Sequence, residues 1–199
     1  MRYQAQNLRA PAEVLLGQVP LQAGHQAIDL GCGPGGVIDL LSERVGPNGH
    51  VVGLDASAQY VALARAFIGE HRLGKASVIQ GDARHTGLPA ASFDLVHARL
   101  LLVNIPGPAE VLAEMVRLAK PGGWVASQEI DGVTICQPRH PAWDQLTGVL
   151  RDVYGHDGAD IHIGRRVPGL VPCRRARRRR SPGPSRSLPG RPPSANPPA

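Results

Sequence analysis

The chain has 199 residues, 22 of them Lys or Arg and 16 Asp or Glu, for a formal net charge of +6; this is one domain's length, and no second catalytic domain is expected. No apolar run approaches a membrane span and Met1-Arg2-Tyr3-Gln4 lacks the order of a signal peptide, so a cytoplasmic protein with no membrane partner is expected. Cys32, Cys136 and Cys173 are odd in number and far apart, which fits neither a disulfide framework nor paired zinc ligands.

In chain order, a short leading helix over 11–16 precedes an apolar strand over Gln26–Leu30. That strand empties into Gly31-Cys32-Gly33-Pro34-Gly35-Gly36, with Asp29 two residues before the first glycine. Val37, Leu40, Leu41 and Val45 then recur at helical spacing, and Gly46-Pro47-Asn48-Gly49 stops the helix. A second strand over 50–54 ends on Asp55, and Ser57 is placed to cap a helix whose apolar stripe is Tyr60, Val61, Ala64, Phe67 and Ile68. A third strand, Ala76–Gln80, runs into Gly81-Asp82-Ala83. A loop through Leu88-Pro89 leads to a fourth strand over 93–98. Pro108 opens a helix with Val111, Leu112, Met115, Val116 and Leu118 buried, closed by Lys120-Pro121-Gly122-Gly123 before a fifth strand over 124–129. A helix over 142–154, a polar loop, and a turn or helix beginning at Gly164 complete the patterned part.

Near-continuous apolar strands separated by helices predict an α/β fold, a Rossmann-like doubly wound parallel sheet of about five strands with helices on both faces. Ligands of such sheets sit beyond the carboxyl ends of the strands, where Asp29, Asp55, Asp82 and Glu129 all fall. The spacing Gly31-x-Gly33-x-x-Gly36 with Asp55 also satisfies a dinucleotide fingerprint, so an NAD(P)-dependent oxidoreductase is one reading of these residues. Residues 172–199 hold eight of the basic residues, eight prolines and no acid, which leaves 14 basic against 16 acidic residues in 1–171. Such a tail cannot bury enough apolar surface to offset its ordering entropy and is expected to be disordered, the domain being 1–171. A nucleic-acid partner acting through this tail is a further alternative, weakened by the lack of aromatic residues on which bases stack.

Five segments, in order, carry a family resemblance: Asp29-x-Gly31-x-Gly33-Pro34, Asp55, Gly81-Asp82-Ala83, Leu88-Pro89-Ala90-Ala91-Ser92-Phe93-Asp94-Leu95-Val96 and Leu118-Ala119-Lys120-Pro121-Gly122-Gly123. Over roughly 26–130 the chain resembles class I S-adenosylmethionine-dependent methyltransferases of the ubiquinone-biosynthesis-like, small-molecule type. The resemblance implies S-adenosyl-L-methionine as cofactor, with the glycine turn facing its amino-acid moiety, Asp55 on the ribose hydroxyls and Asp82 near the adenine amino group. The implied cofactor-binding set is Asp29, Gly31, Cys32, Gly33, Gly35, Asp55, Ala56, Asp82 and Ala83, with Cys32 contributing its backbone. Methyl transfer is an in-line displacement in which approximation supplies much of the acceleration. Where the acceptor needs a base, His97 and Glu129 are the catalytic candidates, with Arg99 and Asp131 beside them.

The acceptor is expected to be a small molecule, selected by the leading helix and by residues 99–107 and 131–163. Asp94 precedes its strand and is expected to fix a turn. His156, Asp157, Asp160 and His162 match no helical ligand spacing, and no metal is expected. The usual two C-terminal strands of the family are not legible here, so a frameshifted terminus, an unprotected fifth strand and a form with little activity are expected together.

Overall fold

The computed structural model describes residues 8–132 and 136–170. The expected Arg/Pro tail, with the boundary that would set it apart, lies outside the described residues.

Five strands form one sheet: β1 (Gln26–Leu30), β2 (His50–Asp55), β3 (Ala76–Gln80), β4 (Phe93–Arg99) and β5 (Ala119–Gln128). Their order is β3-β2-β1-β4-β5, and every neighbouring pair is parallel. The helices are α1 (Arg9–Gly17), α2 (Ile38–Val45), α3 (Ala58–Glu70), α4 (Pro108–Leu118), α5 (Pro141–His156) and α6 (Ile163–Leu170). This is the Rossmann-like α/β sheet that the sequence predicts.

Because side chains alternate across a strand, each strand feeds two separate apolar clusters. Ala27 of β1 and Leu95 of β4 pack with Ala12 and Leu16 of α1, Leu41 and Val45 of α2, and Val61 and Ala64 of α3. Ile28, Leu30, Val96 and Ala98 point to the other face and pack against Val111, Leu112, Met115 and Leu118 of α4, with Ile163 of α6. The sheet is therefore covered on both sides, as a parallel sheet requires. α5 buries none of its residues. Leu146, Val149, Leu150 and Val153 lie exposed on it at helical spacing.

The local signals explain most boundaries. Ser57 caps α3 by accepting from Tyr60 N at 3.4 Å, and α4 starts with Pro108 in its first turn, after Gly107 at φ 70. The fifth strand departs from expectation. It begins at Ala119, not 124, and the Lys120-Pro121-Gly122-Gly123 segment is an irregularity inside it. Phe93 pairs with Ala119 but Leu95 pairs with Trp124, so β5 carries extra residues opposite Asp94. Lys120 Nζ reaches Asp94 Oδ2 at 2.8 Å across this bulge, and the same carboxylate oxygen accepts from Gln26 N at 2.8 Å. Asp94 thus fixes the start of the sheet.

No helix bridges β3 and β4; the connection over 81–92 is irregular and is held down by Glu114 of α4. Glu114 Oε1 accepts from Thr86 N at 3.0 Å and from Thr86 Oγ1, while Arg117 Nε donates to Oε2 at 2.6 Å. The Arg117 guanidinium, helped by Thr86, pulls the Glu114 carboxyl down to about 2, against an ordinary 4.5. A depressed folded-state value means that stabilisation is complete above about 4.5 and is lost as the pH falls towards about 2. Glu114→Gln is therefore expected to be less stable than the wild type in urea unfolding at pH 7. The difference should narrow as unfolding is repeated between pH 4.5 and 2.

Candidate functional site

In this strand order the connections leave β1 in one direction and β4 in the other, and the crevice at such a switch point is where α/β sheets take ligands. A cleft of about 230 Å³ opens there. Its floor is Gly31 with Leu54, Asp55 and Ala56 at the end of β2. Gly81, Asp82, Ala83 and Arg84, after β3, form one side, and Leu101, Ile105 and Pro106, after β4, form the other. Leu54, Ala83, Leu101 and Ile105 give it aliphatic surface, and Asp55 and Asp82 are the carboxylic acids that line it.

Asp55 braces the glycine turn. Its Oδ2 accepts from Gly33 N at 2.8 Å and its Oδ1 from Ser57 N at 2.9 Å. The turn is further pinned by the Leu54 carbonyl, which accepts from Gly31 N at 2.7 Å and Cys32 N at 3.0 Å. Asp82 is engaged by Arg84 through Nη2 at 2.7 Å and Nε at about 3 Å, and by Arg84 N at 2.9 Å. The Arg84 guanidinium holds the Asp82 carboxyl down to about 2.

Asp29 lies under the turn, not in the cleft. It is 2% exposed, its Oδ1 accepts from His97 Nδ1 at 2.7 Å, and its Oδ2 accepts from Val37 N at 3.4 Å. Gly36, at φ 50, must be glycine here. A Cβ would collide with Asp29 Oδ2 and stand 2.8 Å from the Cys32 carbonyl. Cys32 is buried, burial pushes its thiol up, and its Sγ faces the Gly33 carbonyl.

Of the residues expected to hold a cofactor, Gly31, Asp55, Ala56, Asp82 and Ala83 meet in the cleft. Asp29 and Cys32 support the turn from below, and Gly33 and Gly35 belong to the turn itself. The two expected catalytic bases are displaced. His97 is fully buried among the sheet residues, so it has no face toward an acceptor. Glu129 spends its carboxylate on the backbone: Oε1 accepts from Leu101 N at 3.2 Å and Leu102 N at 3.0 Å, and Oε2 from Val103 N at 3.2 Å. It holds the 3₁₀ turn Leu102–Asn104 that carries the cleft wall. Burial raises its carboxyl above the ordinary value despite these donors.

Asp131 is bound by Arg165 at 2.6 Å and His162 at 3.1 Å, and Asp160 pairs with Arg166. No group of three or more metal-ligating side chains occurs among the described residues. Leu101, Ile105, Pro106 and Arg84 were not singled out by sequence reasoning. Leu101, Ile105 and Pro106 fall within residues 99–107, which the sequence assigns to acceptor selection and not to the cofactor, and Arg84 directly follows the Gly81-Asp82-Ala83 segment.

Residues 21–152 match a protein family described as a methyltransferase domain. The chain belongs to the methyltransferase-domain family. Its resemblance to class I S-adenosylmethionine-dependent methyltransferases thereby extends over residues 21–152 and does not stand on the motifs alone. The domain is 35% identical over 126 residues to a demethylmenaquinone methyltransferase of Listeria welshimeri, covering 63% of this chain and 51% of that protein. It is 39% identical over 115 residues to the nocamycin O-methyltransferase of Saccharothrix syringae, covering 58% of this chain and 41% of that protein. The chain thus spans about half the length of these relatives. Among solved structures, a SAM-dependent methyltransferase from Aquifex aeolicus shares the fold. Its TM-score is 0.55 at 22% identity, over 77% of this chain and 87% of that one. No helix among the described residues is long and apolar enough to cross a membrane.

If Gly36 is the constraint described, Gly36→Ala will lower stability by about 2 kcal/mol or more, from collision and backbone strain together. Gly87→Ala, at φ 69 with open space around it, isolates the strain and should cost only about 1–2 kcal/mol. Urea unfolding of both variants at neutral pH makes the comparison.

Proposed function

We propose that this methyltransferase domain binds S-adenosyl-L-methionine in the cleft over β1 and β2 and promotes methyl transfer to a small-molecule acceptor in the cytoplasm. The observation that carries the reading is the meeting of the Gly31 turn, Asp55 and Asp82 in one cleft. About 230 Å³ is below the range of roughly 300–1,000 Å³ typical of whole-ligand sites, which suits the nucleoside part of a longer ligand. Leu54, Ala83, Leu101 and Ile105 offer aliphatic surface for a base. Asp55 keeps unused lone pairs for a pair of ribose hydroxyls, and Asp82 can exchange an Arg84 contact for the adenine amino group. The space where a Cβ on Gly33 would stand is open, leaving room above the turn for the amino-acid end.

S-adenosyl-L-methionine, when bound, supplies an electrophilic methyl group to the acceptor's lone pair. The chain's own part is to hold, align and exclude water. Asp55 sets the ribose and the turn sets the tail, while the wall of Leu101, Ile105 and Pro106 limits solvent access. With His97 and Glu129 committed to internal hydrogen bonds, neither is placed to remove an acceptor proton, so alignment bears the larger share of catalysis. The two relatives named above are a demethylmenaquinone methyltransferase and a nocamycin O-methyltransferase. Those names support a small-molecule acceptor. We assign its selection to the leading helix and to residues 99–107 and 131–163.

Calorimetry on the full chain tests the reading: S-adenosylhomocysteine should bind and NADH should not. Asp55→Ala should weaken S-adenosylhomocysteine binding at least about tenfold, since hydrogen bonds to a charged group contribute about 1.5–3 kcal/mol each. Binding of NADH in preference would restore the oxidoreductase reading.

A further inference from the structure

The polar groups under the glycine turn converge on a single peptide, the one joining Gly36 to Val37. Its carbonyl accepts from Arg99 Nη2 at 3.2 Å, and its N–H donates to Asp29 Oδ2 at 3.4 Å. Asp29 is held in turn by His97, its register partner on β4, through the 2.7 Å bond to Oδ1. His97 and Arg99 are two residues apart on β4 and so share a face.

We propose that His97 and Arg99 are positioning residues that clamp the Gly36–Val37 peptide from both ends, and so aim the glycine turn at the amino-acid end of the cofactor. The proposal rests on the cofactor reading above. Its physical basis is polarity. A glycine at positive φ has little to oppose rotation of its peptide, and the peptide could face either way. Facing as it does, it offers its N–H to a carboxylate and its oxygen to a guanidinium. Reversed, it would set oxygen against oxygen and N–H against a cation. The two β4 side chains therefore select one orientation of the link between the turn and α2.

The long 3.4 Å contact would not fix the carboxylate by itself, and Val37, at the N-cap of α2, makes no side-chain cap. The short bond from His97 sets the plane of the Asp29 carboxylate. His97 Nε2 is buried with no hydrogen-bond partner among the described residues, a cost that an aliphatic residue would avoid. What the imidazole supplies at this place is its Nδ1–H. Arg99 extends the clamp outward, since its Nη1 donates to the Leu8 carbonyl ahead of α1 at 3.3 Å.

The test compares two probes on the full chain. S-adenosylhomocysteine carries the amino-acid end, and 5′-methylthioadenosine keeps the nucleoside and sulfur without it. His97→Leu and Arg99→Met should each weaken S-adenosylhomocysteine binding by about tenfold or more, and change 5′-methylthioadenosine binding by less than about twofold. His97→Asn, whose amide N–H stands in for Nδ1–H, should recover S-adenosylhomocysteine affinity to within about threefold of wild type. Should His97→Leu fail to fold, Arg99→Met carries the same comparison from a partly exposed position. Equal loss of both ligands, unchanged S-adenosylhomocysteine affinity, or an Asn variant no better than Leu would overturn the clamp alone. A wild-type chain that binds neither probe would overturn the cofactor reading and the clamp with it.

Discussion

A carboxylate buried in the middle of a parallel sheet has to find hydrogen-bond donors, because leaving one unpaired there costs far more than any single contact returns. Asp29 meets this demand with His97 from the neighbouring strand and with the first free N–H at the start of α2. Much of the surrounding architecture follows. Gly36 has to lack a Cβ, α2 has to begin where the carboxylate can reach its N-terminus, and β1 has to register against β4 so that Asp29 faces His97. The glycine turn is thereby built on a polar anchor within an otherwise apolar sheet.

Other carboxylates around the cleft act the same way. Asp55 ties the turn to the start of α3, Glu129 ties the end of β5 to the 3₁₀ turn, and Glu114 ties α4 to the irregular connection after β3. Each acid joins two segments that are distant in sequence by accepting backbone N–H groups. The loops that surround a ligand are thus stiffened before it arrives, which reduces what binding has to order. Asp55 has a double place in this scheme. It is both a brace for Gly33 and the carboxylate on the cleft floor.

The strands and most helices were legible in the sequence because their signals are local. Ser57 caps α3, Pro108 opens α4, and the apolar runs of β1 to β4 have sharp ends. The start of β5 was not, since a Pro-Gly-Gly sequence reads as a turn and only pairing with β4 turns it into a bulge. Of the residues gathered at the cleft, Asp55 and Asp82 could be named from their places at strand ends and Gly31 from the glycine turn, while Ala56 and Ala83 were implied by the family resemblance. His97 and Glu129 could not be assigned the same way. A position near a strand end says nothing about which face a side chain takes or which donors wait for it. For His97 that depends on the β1–β4 register, and for Glu129 on the path of the chain after β4. Leu101, Ile105 and Pro106 carry no polar group to draw attention, and they reach the cleft only through that path.

The braced cleft above β1 and β2 is the proposed seat of the nucleoside of S-adenosyl-L-methionine. A crystal structure of the full chain with S-adenosylhomocysteine tests it most directly. The ribose hydroxyls are expected on Asp55, the adenine between Ala83 and Leu101, and the amino-acid end over the glycine turn with the Gly36–Val37 peptide unflipped. A nucleoside bound away from Gly31, Asp55 and Asp82 would rule out this cleft as the cofactor site, and a turn that reverses that peptide to receive it would rule out the clamp.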